Sequence, residues 1–273
     1  MPELPEVEVV RLGLAPELTG QRLMGVWTSG KRLRSFLGQS EGLACLKGQP
    51  LLALERRSKI LLFQFESHTL RLHLGMSGVL TLEVSVTSLR PAQDPHEHVA
   101  LQFEKQALWL RDPRRFGDLQ LCEPNAPWPP SAQGVEPLSS AFDVQRMMQA
   151  SAGVRQAVKP WLMAGHAVVG VGNIYASEAL HRAGIRPTWA AGRISARRWA
   201  RLVEEIQAVL REAIEKGGST LRDFRGHEGR PGEYREAHQV YGREGLPCLS
   251  CQQPIRRMVQ AQRSTFYCSG CQR

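Results

Sequence analysis

Four cysteines in the last part of the sequence have the spacing of a metal site. They are Cys248, Cys251, Cys268 and Cys271, in the pattern C-x2-C-x16-C-x2-C. Two thiolate pairs on turns, joined by a segment that can fold as a β-hairpin, complete the tetrahedral coordination of Zn²⁺ and leave no open position. Two disulfides would use the same residues, but a reducing compartment disfavours them. The pattern therefore predicts one structural zinc ion.

The composition of this zinc module indicates what it binds. Residues 245–273 contain four arginines and no acidic residue. Four thiolates and one Zn²⁺ together carry a charge of −2, so the four arginines leave the module cationic. Zinc ribbons also bind proteins, and the cationic balance is what favours DNA.

A second candidate for chemistry lies at the start of the sequence, MPELPEVEVV. Once Met1 is removed, Pro2 is the terminal residue, and the carboxylates of Glu3 and Glu6 follow it. Proline and acids also suit the first turn of any helix, because proline lacks the N–H that would be unpaired there and acids interact favourably with the helix dipole. Taken alone, these residues favour a simple helix start over a reactive chain terminus.

The overall composition narrows the class of protein. The 273 residues, 42% hydrophobic and 22% charged, are typical of a soluble protein of more than one domain. No apolar run is long enough to span a bilayer and no signal peptide is evident, so we expect a cytoplasmic protein without membrane contact. Lys and Arg number 35 against 26 Asp and Glu, a formal charge of +9. This surplus favours nucleic acid as partner over a merely basic surface.

The elements that would position these groups change type along the chain. Short runs, several of them alternating, fill residues 51–122: LLALERRSKILLFQF, TLRLHL, VLTLEVSV, HVALQF, ALWLRD and DLQL. Strands at this spacing predict a β-sandwich or barrel, with a helix over residues 7–14 on an edge or face. Cys45 and Cys122 lie outside the zinc pattern and are predicted to be buried thiols.

Helical patterns dominate after residues 123–140, a proline-rich stretch that we interpret as a linker. The sequence ARRWARLVEEIQAVLREAIEKGG predicts a packed helix that stops at Gly217. Its apolar face comprises Trp199, Leu202, Val203, Ile206, Leu210, Ala213 and Ile214. The charged, glycine-rich residues that follow predict a long mobile loop of the kind that is often functional.

A shorter helix is predicted in GVGNIYASEALHRAGIRP, with Asn173 as N-cap, residues 174–183 as helix and Gly184 just beyond its end. Gly170 and Gly172 make the preceding turn tight. Two helices joined in this way expose N–H groups at a positive helix end, which suits a phosphate. A plain helix–turn–helix packing unit explains the same residues equally well.

Several motifs, in the same order along the chain, resemble those of the formamidopyrimidine-DNA glycosylases. They are PELPEVE, RRSK, HLGMSG, DPRRFG, KPWLM, GVGNIYASEAL, GGSTLRDF and QRSTFYC with the final cysteine pair. The resemblance covers essentially the whole chain and implies a multi-domain α+β fold. It implies an N-terminal catalytic β-sandwich with flanking helices (1–134), a helix–two-turn–helix DNA-binding domain with a lesion-capping loop (135–244), and a β-hairpin zinc finger (245–273). Residues 219–224 match the start of the loop that encloses the lesion base.

The resemblance implies an enzyme of base-excision repair that works as a monomer on double-stranded DNA containing oxidised bases or abasic sites. Its substrates would be oxidised purines, such as 8-oxoguanine and formamidopyrimidines. Removal of the base would be followed by β,δ-elimination at the abasic site. Reaching C1′ requires the lesion nucleotide to be flipped out of the stack.

The resemblance also implies roles for individual catalytic residues. The Pro2 amine would attack C1′ and expel the base; a secondary amine forms an iminium that is cationic without protonation. Glu3 would be the acid/base in sugar-ring opening, and Glu6 would orient the site. Lys59, in RRSK, would be the general acid of β-elimination and a phosphate contact. Arg263 is linked to phosphate binding and δ-elimination, and we favour its electrostatic role because arginine is too basic to be an easy proton donor.

Three side chains match those that fill the space left by a flipped nucleotide. Met76 and Phe116 would replace stacking, and Arg114 would donate to the orphaned base. Further contacts to DNA are implied for His73, His96, Arg155, Lys159 and Asn173. His96 and His98 could instead form a metal pair, although no further ligand is evident nearby.

Two other interpretations compete with the purine enzyme. An endonuclease VIII-like glycosylase would share the fold and act on oxidised pyrimidines, but PELPE in place of PEGPE and the intact DPRRFG favour the purine enzyme. A non-catalytic damage-binding protein would be supported by an altered Pro2 or Glu3, and both residues are present.

Overall fold

The computed structural model describes residues 2–36, 41–84, 88–124, 126–128, 133–219 and 232–273. The chain forms two compact units. The first is Met1–Pro127 with Gly217–Gly232, and the second is Trp128–Lys216 with Glu233–Arg273. The predicted α+β class is confirmed, whereas the predicted domain boundaries at residues 134 and 244 stay predictions.

The first unit is built from two four-stranded antiparallel sheets. Its strands are β1 (Leu23–Thr28), β2 (Ala53–Arg57), β3 (Ile60–Gln64), β4 (Thr69–His73), β5 (Val79–Val84), β6 (Glu97–Phe103), β7 (Gln106–Arg111) and β8 (Asp118–Cys122). The strand orders are β1-β6-β7-β5 and β2-β3-β4-β8. Helix α1 (Leu4–Leu18) and a 3-10 helix (Glu41–Leu46) accompany them.

One hydrophobic core joins both sheets and α1. It includes Val10 and Leu14 of α1, Phe63 and Leu72 of one sheet, and Leu101 of the other. Because side chains alternate along a strand, each sheet directs one row of such residues into this core. The predicted sandwich therefore follows from the alternating runs.

Sequence analysis missed one strand of this unit, and its expectation of two buried thiols is wrong. Strand β1 was not predicted, because LMGVWT contains Gly25 and its pairing with β6 is irregular between Leu23 and Gly25, so the alternation is broken. Cys45 is exposed and Cys122 only half-buried. On the 3-10 helix, Leu43 and Leu46 enter the core, and Cys45 between them faces outward.

The second unit is helical and ends in a hairpin. Its helices are α2 (Val144–Ser151), α3 (Val158–Met163), α4 (Asn173–Arg182) and α5 (Ala196–Glu215), with 3-10 turns at Ala191–Arg193 and Tyr234–Ala237. Strands β9 (Arg256–Gln260) and β10 (Arg263–Tyr267) pair antiparallel. The predicted face of α5 is confirmed, except that Ile214 is half-buried and Val209 is part of the buried face.

The start of α4 differs from the prediction by one residue. Gly172 is the N-cap and Asn173 is the first helical residue, without a side-chain cap. The Asn173 side-chain oxygen instead accepts a hydrogen bond from the Lys159 ammonium group at 2.6 Å, a contact that no local pattern encodes. Gly184 follows the helix at φ +69°, as predicted for a C′ glycine.

The proline-rich linker is not a separate element throughout. The Gly134 N–H donates to the Gly165 carbonyl at 3.0 Å, and Val135 bridges to Val168, so this part belongs to the second unit. The predicted mobile loop covers residues 217–242, of which 220–231 lie outside the described residues. For the later part the prediction is wrong, because Tyr234–Ala237 form a 3-10 turn and Tyr234 is fully buried. Among the helices of the described ranges, none has the length and apolar character to cross a membrane.

Candidate active site and nucleic-acid interface

Pro2, Glu3 and Glu6 lie together at the start of α1, and all three are buried. Glu3 is the N-cap in extended conformation, and the Glu6 carboxylate accepts the Glu3 N–H at 2.8 Å. The two carboxylates form a reciprocal capping box. The helix start thus places two acids beside the chain terminus, as both interpretations of this stretch require.

Glu6 also reaches a distant segment of the first unit. Its second carboxylate oxygen accepts the Ser219 N–H at 2.8 Å. A Cβ on Gly218 would come within 3.0 Å of the same oxygen, so the backbone approaches the carboxylate closely. Glu6 therefore links the helix start to the residue that precedes the 220–231 segment.

Lys59 lies in the two-residue turn between β2 and β3. Arg56 holds this turn, because its Nη1 donates to the Ser58 carbonyl at 2.9 Å and its Nε to Glu8 of α1 at 2.7 Å. Burial raises the pKa of the Glu8 carboxyl, but hydrogen bonds and charge from Arg11 and Arg56 outweigh it and lower the pKa overall. Sequence analysis missed Glu8 and Arg56, although the RRSK motif contains the second of them.

Strand register brings further predicted residues to the same edge of this sheet. Ile60, next to Lys59, pairs with His73, and His73 pairs with Asp118. The end of β4 and the start of β8 therefore lie side by side. The chain that carries Met76 leaves β4 at this edge, and the chain that carries Phe116 enters β8 there.

His73 is neutral with a defined tautomer. Its Nδ1 accepts the Gly75 N–H at 2.9 Å, so the proton of the neutral ring is on Nε2. Burial, together with the charges of Lys59 and Arg34, lowers the pKa of His73 to about 4 although Asp118 opposes this. The ring therefore offers an N–H donor, suited to a phosphate oxygen, without a charge.

The three predicted void-filling side chains project from two loops, residues 74–78 and 112–117, which we call the wedge loops. Met76 and Phe116 are 39% and 45% exposed, which is unusual for large apolar side chains outside a binding surface. The Arg114 guanidinium lies over the Phe116 ring, 4.7 Å from its centroid. The arrangement agrees with an insertion surface and does not agree with a core Met and Phe.

His96 and His98 do not form a metal pair. The His98 ring is placed by the Asp112 carbonyl at 3.1 Å from Nε2 and by the Ser29 hydroxyl at 3.1 Å from Nδ1. Burial is the main cause of its lowered pKa. Within the described part of the chain, the one cluster of side chains suited to a metal is the four cysteines.

In the second unit, Lys159 is a structural bridge. It is 1% exposed, and its ammonium donates to Asn173 Oδ1 at 2.6 Å, Thr265 Oγ1 at 2.7 Å and the Ser264 carbonyl at 3.1 Å. It thus joins α3 and α4 to β10. Its predicted contact with a phosphate stays a prediction.

Arg155 and Arg263 are both exposed in this unit. Arg263 begins β10 directly after a two-residue turn in which Ala261 and Gln262 both have positive φ, the geometry of a tight hairpin. The guanidinium is therefore carried at the end of the finger hairpin, where a ligand can approach it.

The four predicted cysteines converge. Their sulfur atoms all lie within 4.8 Å of one another, with 3.8 Å between Cys248 and Cys271 and 3.3 Å between Cys251 and Cys268. Four ligands at the Zn–S distance of about 2.3 Å have sulfurs about 3.8 Å apart, whereas a disulfide needs about 2.05 Å. The cluster fits a closed tetrahedral zinc site.

The surroundings favour thiolates on one side of the cluster. Burial opposes ionisation of Cys248, but the N–H groups of Cys251 and Ser250 and the ring of His181 outweigh it and lower its pKa to about 6. His181 Nε2 lies 3.7 Å from this sulfur. Burial and the neighbouring sulfurs raise the pKa of Cys268 and Cys271, so a divalent cation is needed to keep all four ionised.

Comparison with known proteins decides the family. The N-terminal domain of formamidopyrimidine-DNA glycosylase matches residues 1–119, its H2TH domain residues 133–225, and a zinc finger found in FPG and IleRS residues 245–273. The formamidopyrimidine-DNA glycosylase of Alkalilimnicola ehrlichii is 47% identical over an alignment of 281 positions that covers both chains completely. The chain belongs to the formamidopyrimidine-DNA glycosylase family.

Solved structures of the family share the fold. The crystal structure of MutM (Fpg) from Thermus thermophilus has a TM-score of 0.86 and 38% identity, covering 99% of this chain and 98% of that one. Lactococcus lactis Fpg in complex with an abasic site containing DNA has a TM-score of 0.86 and 29% identity, covering 99% of each chain. The chain is thus a DNA glycosylase of base-excision repair with one structural zinc ion, and its family combines glycosylase with AP lyase activity.

Proposed function

We propose that this enzyme excises oxidised purines from duplex DNA and then cleaves the abasic site by β,δ-elimination, with Pro2 as nucleophile. The observation that carries the proposal is the start of α1. There Pro2 stands next to two buried carboxylates, one of which also holds Ser219. A helix start needs no such link to a distant segment.

The chemistry follows from the properties of a terminal secondary amine. An α-amino group titrates near about 7.7–8.0 before perturbation, so a neutral fraction is present at physiological pH once Met1 is removed. The amine nitrogen bonds to C1′ as the glycosidic bond breaks, and the base leaves with that electron pair. The departing base takes its proton from water. The proton on the nitrogen passes to the Glu3 carboxylate, and Glu3 gives it to the ring oxygen as the bond between C1′ and that oxygen breaks, which leaves an iminium at C1′. The iminium withdraws electrons from C2′, whose proton is lost as the 3′ phosphate leaves; the 5′ phosphate follows by δ-elimination.

The remaining residues act on the DNA around this step. Met76, Arg114 and Phe116 occupy the space of the flipped nucleotide, which offsets an unstacking cost of a few kcal/mol. In the first unit, the Nε2–H of His73 and the ammonium of Lys59 are the proposed donors to phosphate oxygens of the DNA. Arg155, Asn173 and Arg263 are the proposed contacts of the second unit, with Arg263 as a phosphate clamp. The buried ammonium of Lys159 already donates to three oxygens of the protein, so Lys159 supports this surface from behind.

The test combines excision with covalent trapping. Duplexes carrying 8-oxoguanine or thymine glycol are incubated with the enzyme, in parallel samples with and without borohydride. We expect excision of 8-oxoguanine and a reduced adduct that peptide mapping places at Pro2. Preference for thymine glycol would favour the pyrimidine enzyme, and binding without excision would favour a damage-binding protein.

Two variants address the nucleophile. Pro2→Gly keeps an amine but makes it primary and more mobile, so activity should fall sharply. A residue added before Pro2 turns the amine into an amide with a delocalised lone pair, and trapping should cease. Full trapping by the extended protein, or an adduct at Lys59, would exclude Pro2 as the nucleophile.

A further inference from the structure

The carboxylate of Asp112 connects the two wedge loops. Asp112 follows β7 and is 0% exposed. Its Oδ1 accepts the Ser77 hydroxyl at 2.5 Å, and its Oδ2 accepts the Gly117 N–H at 2.7 Å. Ser77 follows Met76 in one loop and Gly117 follows Phe116 in the other. Each oxygen thus holds the immediate neighbour of an exposed apolar side chain.

The backbone of Asp112 is also fixed by hydrogen bonds. Its N–H donates to the His96 carbonyl at 2.9 Å, and its carbonyl accepts the Arg115 N–H at 3.1 Å. The Ser77 hydroxyl oxygen in turn accepts the Arg114 N–H at 3.3 Å. Buried polar groups satisfied in this way fix one arrangement, because any other leaves a donor or acceptor unpaired.

The loops also touch through their backbones. A Cβ on Gly75 would lie 2.4 Å from the Phe116 carbonyl carbon and 2.5 Å from the Gly117 nitrogen. Only glycine permits this approach, and Gly75 has φ +65°. The positions of Met76 and Phe116 relative to each other are therefore set by a close contact as well as by the Asp112 carboxylate.

We infer that Asp112 is a positioning residue that holds Met76, Arg114 and Phe116 as one preformed wedge before DNA binds. This rests on the proposed function, since the wedge matters only if a nucleotide leaves the stack. Side chains that are ordered in advance lose less conformational entropy on insertion, so preorganisation strengthens binding to damaged DNA more than to an intact stack.

The test compares two variants that alter the wedge with one that only lowers stability. In Asp112→Asn one carboxylate oxygen is replaced by an NH₂ donor. The remaining oxygen cannot accept hydrogen bonds from both the Ser77 hydroxyl and the Gly117 N–H. Ser77→Ala removes one of the two links. Leu43→Ala, on the core-facing side of the 3-10 helix, is the control for loss of stability alone. Thermal unfolding ranks the three for stability.

The readout is the ratio of dissociation constants for an intact duplex and for one with a tetrahydrofuran abasic analogue. A 2-aminopurine opposite the analogue reports insertion by its fluorescence. We expect the ratio to fall about tenfold in Asp112→Asn, a typical coupling between contacting groups, and about threefold in Ser77→Ala. Leu43→Ala should keep the ratio and the fluorescence of the wild type.

A cycle with Phe116→Ala identifies the route of the effect. If Asp112 acts through the wedge, adding Asp112→Asn or Ser77→Ala to Phe116→Ala should lower the ratio much less than in the wild type. Additive losses, or an unchanged ratio in Ser77→Ala, would overturn the inference even if Asp112→Asn does not fold. Wild-type protein that fails to discriminate between the duplexes would refute the proposed function instead.

Discussion

The zinc finger and the start of α1 hold their charged groups by different means. All four thiolates of the finger come from residues 248–271 and are arranged to share one cation. At the start of α1 two backbone N–H groups donate to the Glu6 carboxylate, and one of them belongs to Ser219, 213 positions away. The first centre thus depends on an ion and on local sequence, and the second depends on the tertiary fold. The predictions below test this contrast.

The largest effect is expected for loss of a zinc ligand. Cys268→Ser should lose zinc and DNA affinity together, because binding of a structural zinc contributes about 10–16 kcal/mol to the folding of such modules. Metal analysis and duplex binding measure both. Cys45→Ser is the matched control, since this exposed thiol lies outside the cluster, and it should retain one zinc per chain. Zinc-free wild-type protein under reducing conditions would contradict the site.

A smaller effect on folding stability is expected when the pH falls, because His73 at the edge of one sheet of the first unit becomes protonated. The folded-state pKa of His73, about 4, lies below its ordinary value of 6.5, so the unfolded chain takes up the proton first as pH falls. The contribution of His73 to stability should be complete above pH 6.5 and decrease towards pH 4, by about 3 kcal/mol at most. Urea unfolding at both ends of this range measures it.

His73→Asn provides the control for that titration. Its side-chain oxygen can accept the Gly75 N–H, but it does not titrate. The variant should therefore lose less stability than the wild type between pH 6.5 and 4. Equal losses in the two proteins would show that His73 is not the group responsible.

Removing one hydrogen-bond acceptor at Glu6 should lower the folding stability by less than protonation of His73 does. In Glu6→Gln one oxygen becomes a donor, so either the Glu3 or the Ser219 N–H loses its partner, at about 1–3 kcal/mol. Thermal unfolding and the rate of borohydride trapping should both decline. Glu17→Gln, at an exposed position of the same helix, should change neither. Unaltered trapping by Glu6→Gln would mean that the link to Ser219 does not serve the reaction.

The smallest effect concerns a residue outside the finger that touches one of its sulfurs. His181 of α4 lies against Cys248, so the finger is not wholly local. His181→Phe should weaken zinc binding about tenfold, at the low end for groups that hydrogen-bond a metal ligand. Competition with a chromophoric chelator measures this. His166→Phe, exposed in the same unit, should release zinc like the wild type; the same behaviour in His181→Phe would show that zinc affinity does not depend on the His181 ring.

The contrast also explains what could be predicted from sequence. The cysteine spacing, the face of α5 and the C′ glycine of α4 are local patterns, and the structure agrees with them. The links from Glu6 to Ser219, from Arg56 to Glu8 and from Asp112 to Ser77 depend on tertiary neighbours, and no spacing encodes them. Cys45 was placed wrongly because a cysteine is usually buried, whereas a short 3-10 helix buries only some of its side chains.

The enclosure of Lys159 has a practical consequence. Its ammonium is covered by oxygens from α4 and β10, so amine-reactive reagents should modify exposed lysines and leave this one intact. Chelation of zinc would loosen β10 and open the pocket around the amine. Mass-spectrometric footprinting of a single lysine would then record, molecule by molecule in a mixed population, whether the finger is docked on the helices.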